Sequence, residues 1–277
     1  MTRVYACLHH YSPRGIQVIA ANSRFAGQTA VVTGGAGGLG RAIALALADE
    51  GARLALFDTN PDALERATEE IRSCGAEAFG LVVDVRDRKQ VDEAIEQVVK
   101  RLDGVDVLIA TAGGSLGTPR DIEDISSEDL DLVIDVNIKG TFNVAAAVLA
   151  SMKSRGGGAI VTFSSIGGRS TSPVTGVPYA AAKAGLLGLT RRLAREVGAD
   201  NIRVNAIAPG LFLTDRLQTM FDEMSQHDRD EVLAGIPLRR MPEIRECVEP
   251  VLFLASQASS YITGAVLDVN GGRFMAG

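Results

Sequence analysis

The feature that most constrains the fold of this chain is the segment Thr33–Gly40, in which five of eight residues are glycines. It follows the apolar run Ala30–Thr33, which is typical of a buried strand, and leads into Leu39–Glu50, whose apolar residues recur with a helical period. Glycines between a strand and a helix allow the backbone N–H groups at the helix N-terminus to approach a pyrophosphate closely. The sequence therefore predicts a dinucleotide-binding turn.

Two glycine patterns overlap in this turn, and the sequence alone does not choose between them. They are GxGxxG on Gly35, Gly37 and Gly40, and TGxxxGxG on Thr33, Gly34, Gly38 and Gly40. In either register the turn lies in the first βα unit, and this context distinguishes it from an ordinary glycine-rich loop.

From Gln28 onward, short apolar runs alternate with helical segments. Seven runs are predicted strands: Ala30–Thr33, Leu54–Phe57, Leu81–Val83, Val105–Ala110, Ala159–Phe163, Ile202–Ile207 and Val266–Val269. Predicted helices are Leu39–Glu50, a helix capped by Asn60 and started by Pro61, Val91–Leu102, Leu130–Met152 and Tyr179–Val197. Such alternation predicts an α/β fold with a single doubly wound parallel sheet and helices on both faces, which is Rossmann-like. We expect residues 25–277 to form one dinucleotide-binding and catalytic domain, preceded by an N-terminal extension, residues 1–24.

Composition excludes several classes of function. A net charge of −6 gives no basic face for nucleic acid. None of the three histidines stands at metal-ligand spacing, so no metal is expected. Three cysteines without a CxxC pair fit a reducing compartment, and a cytoplasmic location is expected. No apolar run has the length of a membrane span, and the extension lacks the pattern of a secretory signal.

An acidic residue, Asp58, follows Gly40 by 18 residues and ends the second predicted strand. A carboxylate in this position accepts hydrogen bonds from the adenosine ribose hydroxyls. A 2′-phosphate would meet the same carboxylate with only neutral Gly37 and Thr59 beside it, at a repulsion of about 1–4 kcal/mol at a separation of roughly 4 Å. We therefore expect NAD as the cofactor and regard NADP as less favoured.

Tyr179 and Lys183 form a YxxxK motif on a predicted helix. A spacing of four residues places both side chains on one helix face. A free tyrosine titrates near pH 10. A neighbouring ammonium group stabilises the phenolate and lowers that pKa, and the positive nicotinamide of NAD⁺ acts in the same direction. The pair therefore predicts a tyrosine that transfers protons near neutral pH.

Ser165 ends the segment Phe163-Ser164-Ser165 after a predicted strand, and Asn137 lies in a helical segment before it. Together with the glycine turn and YxxxK, these residues resemble the short-chain dehydrogenase/reductase family over Phe25–Phe274. The resemblance implies that Tyr179 is the general acid/base and that Lys183 lowers its pKa while binding the nicotinamide ribose. It also implies that Ser165 polarises the substrate carbonyl and that Asn137 holds a water in the proton relay.

One spacing departs from the family pattern. Ser165 stands 14 residues before Tyr179, one more than is usual in the family, which indicates a one-residue insertion in Gly167–Val177. Ser164 therefore remains a second candidate for the polarising serine.

The same resemblance assigns the cofactor site. Asp84 and Val85 resemble the pair that contacts adenine, whereas Pro209, Gly210 and Thr214 resemble the segment that binds the carboxamide. Ala112 and Gly113 end a motif, Ala110-Thr111-Ala112-Gly113, that has asparagines at its first two positions in the family, so the side-chain bonds of those asparagines are in doubt here. The expected cofactor-binding set is Gly34, Gly38, Leu39, Gly40, Asp58, Asp84, Val85, Ala112, Gly113, Tyr179, Lys183, Pro209, Gly210 and Thr214.

A long segment without a clear strand, Leu211–Met241, follows the predicted carboxamide contact. It mixes apolar residues with a very polar run, Ser225–Glu231. An amphipathic element of this kind suits a substrate lid, although a permanently packed helix pair fits the same pattern. As a lid, it would place Phe212, Met220 and Phe221 in the substrate pocket beside Ser165 and Tyr179.

The predicted function is hydride transfer between NAD(H) and a secondary alcohol or ketone. One alternative is a 3-oxoacyl-(acyl-carrier-protein) reductase using NADPH, which is disfavoured by the lack of a basic residue near the glycine turn or after the second strand. Another is a catalytically silent dinucleotide-binding regulator, which is disfavoured by the intact set of four catalytic candidates. The expected partner is a small molecule, with no nucleic acid or membrane. We expect a homotetramer, with a dimer second, paired through Leu130–Met152 and Tyr179–Val197.

Overall fold

The computed structural model describes residues 24–171, 175–213, 218 and 221–276. Seven strands in this part of the chain form one fully parallel sheet: β1 (Thr29–Thr33), β2 (Arg53–Asp58), β3 (Ala78–Val82), β4 (Val107–Ala110), β5 (Gly158–Phe163), β6 (Ile202–Pro209) and β7 (Val266–Val269). Their order across the sheet is β3-β2-β1-β4-β5-β6-β7. The predicted doubly wound α/β fold is confirmed.

The strand order reverses between β1 and β4. Thr33, at the carboxyl end of β1, pairs with Phe57 of β2 on one side and with Ala110 of β4 on the other. From β1 the chain builds outward to β3, and from β4 it builds outward to β7. Connections therefore leave the sheet in opposite directions at this point, which opens a crevice above the carboxyl ends of β1 and β4.

Helices cover both faces of the sheet. They are α1 (Gly38–Asp49), α2 (Pro61–Ser73), α3 (Arg88–Leu102), α4 (Ser127–Ile134), α5 (Gly140–Ser154), α6 (Val177–Val197), α7 (Gln226–Ala234) and α8 (Arg245–Ala255). Successive strand residues point to opposite faces. Val32 thus packs with α1, α2 and α8, whereas Val31 packs with α3, α5 and α6. Both faces of the central strands are buried, which explains why these strands are continuously apolar.

Helix caps decide where the predicted elements begin. Asn60 accepts a hydrogen bond of 3.0 Å from the N–H of Ala63, and Pro61 is the first residue of α2, as predicted. Helix α3 begins at Arg88, three residues before the predicted Val91, because Asp87 caps it ahead of its first apolar residue. Strand β3 begins at Ala78 and not at the predicted Leu81, since Ala78 and Phe79 pair with β2.

The predicted helix Leu130–Met152 is two helices joined by one π-helical turn, Asp135–Lys139. By length and composition, the described helical stretch Ser127–Ser154 is apolar enough to cross a membrane. The apolar runs counted in the sequence are shorter because Asp135 and Lys139 interrupt them. Core helices pass the same test, and Val148 and Met152 of α5 are fully buried against the sheet.

The described chain begins at Arg24, which the sequence analysis placed at the end of the N-terminal extension. Its guanidinium forms an ion pair with Glu50 and a second, at 3.1 Å, with Glu249 of α8. Phe25 beside it is fully buried in the core. Arg24 thus contacts the domain, while residues 1–23 lie outside the described part of the chain.

Candidate active site

The glycine turn between β1 and α1 adopts the TGxxxGxG register. Gly34 and Gly38 have φ values of +64° and +51°, a conformation that side chains disfavour. A Cβ on Gly40 would lie 2.2 Å from the carbonyl oxygen of Gly34 and 2.7 Å from Thr111 Oγ1. Gly37, by contrast, has an extended φ of −157° and nothing within 4 Å of the position of a Cβ. The backbone thus requires glycine at the positions of the second pattern.

Two threonines join β1 to β4 at the point where the strand order reverses. Thr111 Oγ1 donates to the carbonyl oxygen of Thr33, and the N–H of Ala112 donates to Thr33 Oγ1 at 3.1 Å. Thr111 stands where the family has an asparagine. Its hydroxyl makes a cross-strand bond at the wall of the glycine turn, so this end of the cleft is held together without the two asparagines.

Two cavities lie above the carboxyl ends of the strands, and they share Gly34, Ala112 and Gly113. The first, of about 360 Å³, is lined by predicted cofactor and catalytic residues: Gly34, Gly38, Leu39, Gly40, Ala112, Gly113, Ser165, Tyr179, Lys183, Pro209, Gly210 and Phe212. The second, of about 380 Å³, is lined by Asp58, Asp84 and Val85 among others. Because the two cavities meet at the β1–β4 crevice, they form one cleft with two ends.

Asp58 lies at the second end, half-buried. Its carboxylate accepts hydrogen bonds of 3.1 Å from the N–H of Ala36, in the glycine turn, and from the N–H of Asn60. These bonds fix the carboxylate beside the turn.

Arg86, at the same end of the cleft, is a residue that the sequence analysis missed. It lines the second cavity and pairs with Asp84, with Nη2 at 2.6 Å from Oδ2. Its hydrogen bonds are the main reason that the pKa of Asp84 is lowered from its ordinary value. The cavity is therefore lined by a cation as well as by two carboxylates. The sequence contained a signal for this ion pair, because Arg86 follows Asp84 by two residues.

Ser165, Tyr179 and Lys183 meet at the first end of the cleft. The Ser165 hydroxyl lies beside the phenol of Tyr179, and Lys183 Nζ lies 5.6 Å from the centre of the Tyr179 ring. Lys183 Nζ also donates to the carbonyl oxygen of Phe163 at 2.7 Å. The hydroxyl of Ser164 instead donates to the backbone carbonyl of Lys183 at 2.7 Å and is buried. Of the two serines, Ser165 is therefore the one whose side chain contacts Tyr179.

Burial sets the protonation of this group. It raises the pKa of Tyr179 above its ordinary value, with the neighbouring Ser165 hydroxyl acting in the opposite direction. It also lowers the pKa of Lys183 to about 8, because desolvation disfavours the charged ammonium. The expected lowering of the Tyr179 pKa is thus not produced by Lys183 alone. Desolvation of the phenolate is the larger effect, and it outweighs the opposite effect of the Ser165 hydroxyl.

Asn137 lies in the π-helical turn and is fully buried. Its Oδ1 accepts from the N–H of Gly114 at 3.0 Å, and its Nδ2 donates to the carbonyls of Gly114 and Val133 at 2.9 and 2.8 Å. A Cβ on Gly113 would lie 2.4 Å from Asn137 Oδ1 and 3.3 Å from Lys183 Nζ. Asn137 therefore holds the loop after β4 close to Lys183, in addition to any role in a proton relay.

Of the predicted substrate-contact residues in the lid segment, only some lie in the described part of the chain. Phe212 is buried and lines the first cavity. Phe221 is half-buried and does not line either end of the cleft. Thr214 and Met220 lie outside the described residues, as do parts of the predicted lid. Among the residues that the structure describes, no cluster of three or more His, Cys, Asp or Glu side chains is placed to hold a metal.

The sheet, the glycine cradle and the cleft define a Rossmann-like nucleotide-binding oxidoreductase. The family model described as Enoyl-(Acyl carrier protein) reductase matches residues 34–273. An uncharacterized short-chain type dehydrogenase/reductase of Sinorhizobium fredii is 40% identical over 253 residues, which cover 90% of this chain and 98% of the relative. This chain belongs to the short-chain dehydrogenase/reductase family.

Two further relatives bear on the activity. A 3-oxoacyl-[acyl-carrier-protein] reductase of Staphylococcus epidermidis is 38% identical over 249 residues, covering 90% of this chain and 99% of that protein. The solved structure of an NAD⁺-bound xylitol dehydrogenase superposes with a TM-score of 0.82 at 33% identity, covering 90% of this chain and 99% of that one. The family is thus established, whereas the relatives differ in substrate.

Proposed function

We propose that this chain catalyses reversible hydride transfer between NAD(H) and a secondary alcohol or ketone, with Tyr179 as the proton-transfer residue. The observation that carries the proposal is the convergence of Ser165, Tyr179 and Lys183 in the cavity whose other wall is the glycine cradle. A dinucleotide fits this cleft because the positions of Gly34 and Gly40 exclude side chains, which leaves backbone N–H groups at the start of α1 open to a pyrophosphate.

The residues of the chain would act as follows. When bound, the nicotinamide dinucleotide supplies the hydride acceptor for oxidation and the hydride donor for reduction. In oxidation Tyr179 accepts the hydroxyl proton of the substrate at its phenolate oxygen, and in reduction it returns a proton to the substrate oxygen. Ser165 holds the same substrate oxygen by a hydrogen bond. Lys183 binds the nicotinamide ribose and adds positive charge beside Tyr179, and Asn137 keeps the loop that carries Gly113 against Lys183.

The cofactor proposed is NAD, with the adenosine ribose bound by Asp58 and the adenine by Asp84 and Val85. The position of the Asp58 carboxylate beside the glycine turn supports this, because it would repel a 2′-phosphate. Arg86 lines that end of the cleft, but its charge is paired with Asp84. Pro209, Gly210 and Thr214 are the proposed carboxamide contacts, while Phe212, Met220 and Phe221 are the proposed substrate contacts.

A second candidate is a 3-oxoacyl-(acyl-carrier-protein) reductase, which the Staphylococcus epidermidis relative supports. Gly37 and Thr59, which are both neutral, distinguish this chain from the NADPH-binding pattern expected of such an enzyme. A silent dinucleotide-binding regulator is a third candidate, and the contact between Ser165 and Tyr179 argues against it.

The assembly proposed is a homotetramer, with a dimer second, in the cytoplasm. Exposed apolar side chains on the predicted pairing helices support it: Leu130, Phe142 and Val177 are 44%, 56% and 55% exposed. A monomeric mass in solution at micromolar concentration would contradict this assembly.

The test of the function is a panel of secondary alcohols, ketones and a 3-oxoacyl thioester, assayed with NAD(H) and NADP(H) by the absorbance of the reduced nicotinamide. We expect turnover of alcohols or ketones with NAD(H). Turnover of the thioester alone, with NADPH, would favour the second candidate. Absence of turnover on the whole panel, together with tight NADH binding, would favour the regulator.

A further inference from the structure

Gly167 lies between Ser165, Tyr179 and Thr175 and has no side chain to separate them. It is buried in the loop after β5. A Cβ built on it would lie 3.6 Å from Ser165 Oγ, 3.6 Å from Tyr179 Cε1 and 3.4 Å from Thr175 Oγ1. These are ordinary van der Waals distances, and the φ of Gly167 lies outside the left-handed region. The backbone therefore accepts a side chain here, and atoms of Ser165, Tyr179 and Thr175 surround one point beside Gly167.

Thr175, on the far side of this space, has an unpartnered hydroxyl. Its Oγ1 is buried and has no hydrogen-bond partner in the described part of the chain. Other buried threonines are satisfied: Thr162 and Thr190 bond each other at 2.7 Å, and Thr141 donates to the carbonyl of Asn137 at 2.7 Å. A buried hydroxyl without a partner is unfavourable and unusual in a native protein. Thr175 is therefore placed to gain a partner when a ligand enters.

We propose that Thr175 binds a second oxygen of the substrate, carried one or two carbons from the reacting carbon. The substrate class is then a diol, polyol or hydroxyketone in place of a simple secondary alcohol, and this rests on the proposed function. The reacting oxygen must lie within hydrogen-bond distance of both Tyr179 and Ser165. Because Ser165 Oγ and Thr175 Oγ1 flank one point, they are within about 7 Å of each other. Two hydrogen bonds of about 2.8 Å to neighbouring oxygens of one small molecule fit that span.

This assignment gives Gly167 and Thr175 complementary parts in specificity. Thr175 supplies a hydroxyl that both donates and accepts, so it binds either a hydroxyl or a carbonyl oxygen. The absence of a Cβ on Gly167 lets a substrate approach the backbone between Ser165 and Thr175 more closely than it could approach any other residue type. A simple alcohol leaves Thr175 unpartnered, whereas a dioxygenated substrate satisfies it. The preference arises because a site built to bond a polar group discriminates against a substrate that lacks it.

The experiment compares Thr175→Val with the wild type on matched probes: 2,3-butanediol and 1,3-butanediol against 2-butanol with NAD⁺, and acetoin against 2-butanone with NADH. We expect Thr175→Val to lower kcat/KM for the dioxygenated probes by about tenfold, the effect of one hydrogen bond, and to change it less than twofold for the simple probes. Thr175→Ser should retain the preference. The control is Thr171→Val, an exposed threonine in the same loop, which should change neither. Gly167→Ala should reduce the turnover of the dioxygenated probes.

A second test measures the melting temperatures of the variants and does not depend on turnover. Valine has the shape of threonine without the hydroxyl, so the melting temperature of Thr175→Val should equal or exceed that of the wild type. A fall of several degrees, not seen in Thr171→Val, would show that the hydroxyl has a structural partner and would overturn the inference. An equal loss of activity on simple and dioxygenated probes would do the same.

Failure of the subsite and failure of the proposed function give different results. If the wild type has equal kcat/KM for the simple and the dioxygenated probes, and Thr175→Val does not change that ratio, the subsite is refuted and the proposed function stands. A wild type that turns over none of the probes contradicts both proposals.

Discussion

Lys183 Nζ donates a hydrogen bond of 2.7 Å to the carbonyl oxygen of Phe163, the last residue of β5. The bond fixes a fully buried ammonium between the end of β5 and the loop that carries Gly113. A second hydrogen bond, from the Ser164 hydroxyl to the backbone carbonyl of Lys183, also holds α6 against the end of β5. The ammonium of Lys183 is therefore positioned by the sheet itself.

Replacing Tyr179 by phenylalanine should remove the proton-transfer group and leave the cofactor site intact. We expect kcat to fall by at least about 10²-fold, the lower range for loss of general acid–base catalysis, with little change in the Kd for NADH. Tyr261→Phe is the matched control, since Tyr261 is fully exposed. Steady-state kinetics and NADH fluorescence titration measure both quantities. Near-normal turnover in Tyr179→Phe would exclude the mechanism.

Lys183 should make the stability of the cofactor-free protein depend on pH. Burial lowers its pKa to about 8 from 10.5, so the unfolded chain binds this proton more tightly between those values. The free energy of unfolding should therefore rise as the pH increases from about 8 to 10.5, by about 3 kcal/mol for this group. Lys183→Met should flatten the rise in urea denaturation, whereas Lys89→Met, at an exposed site, should not. Equal slopes in wild type and Lys183→Met would contradict the assignment.

The two adjacent serines should separate activity from stability. Ser165→Ala removes the hydroxyl that contacts Tyr179, and we expect kcat to fall by about 10²-fold, as for loss of one donor to a reacting oxygen. Ser164→Ala removes the buried bond to the carbonyl of Lys183, and we expect a loss of about 1 kcal/mol in unfolding free energy with a smaller effect on kcat. Urea denaturation and kinetics on both variants provide the comparison. The reverse pattern would make Ser164 the polarising serine.

The glycine turn provides a second matched pair. A Cβ at residue 40 would lie 2.2 Å from the carbonyl oxygen of Gly34, so Gly40→Ala should lower the unfolding free energy by about 1–3 kcal/mol and weaken NADH binding at least tenfold. Gly37→Ala should do neither, because its Cβ would enter open space. Thermal unfolding and NADH titration test this, and similar losses in both variants would mean that the turn has the other register.

The preference for NAD(H) over NADP(H) should depend on the negative charge of Asp58 and on the charges introduced or removed near it. We expect kcat/KM with NAD(H) to exceed that with NADP(H) by at least about tenfold, roughly 1.4 kcal/mol. Asp58→Ala should narrow the gap between the two cofactors, and Gly37→Arg should narrow it further, since a Cβ at residue 37 would meet no other atom within 4 Å. Arg86→Ala tests the cation that lines the same cavity. If this variant lost activity with NADPH and kept it with NADH, Arg86 would be the residue that binds the 2′-phosphate.

Features that depend on neighbours along the chain were predictable from the sequence. The strand–turn–helix context of the glycines, the Asn60 cap with Pro61 and the spacing of Tyr179 and Lys183 are set by backbone geometry over a few residues, and the structure has each of them. The doubly wound sheet was predictable for a related reason. Apolar runs that alternate with helical periods have few ways to bury both faces of each strand.

The remaining features depended on which atoms meet across elements. The register of the glycine turn is decided by the approach of Gly40 to Gly34 and Thr111. The bond between the Ser164 hydroxyl and the backbone of Lys183 follows from the way α6 packs on β5. The pairing of Arg86 with Asp84 and the unpartnered hydroxyl of Thr175 became visible only in the folded chain. Sequence spacing determines which side chains share a helix face or strand end, but distances between different elements are fixed by packing of the whole core, which no local pattern encodes.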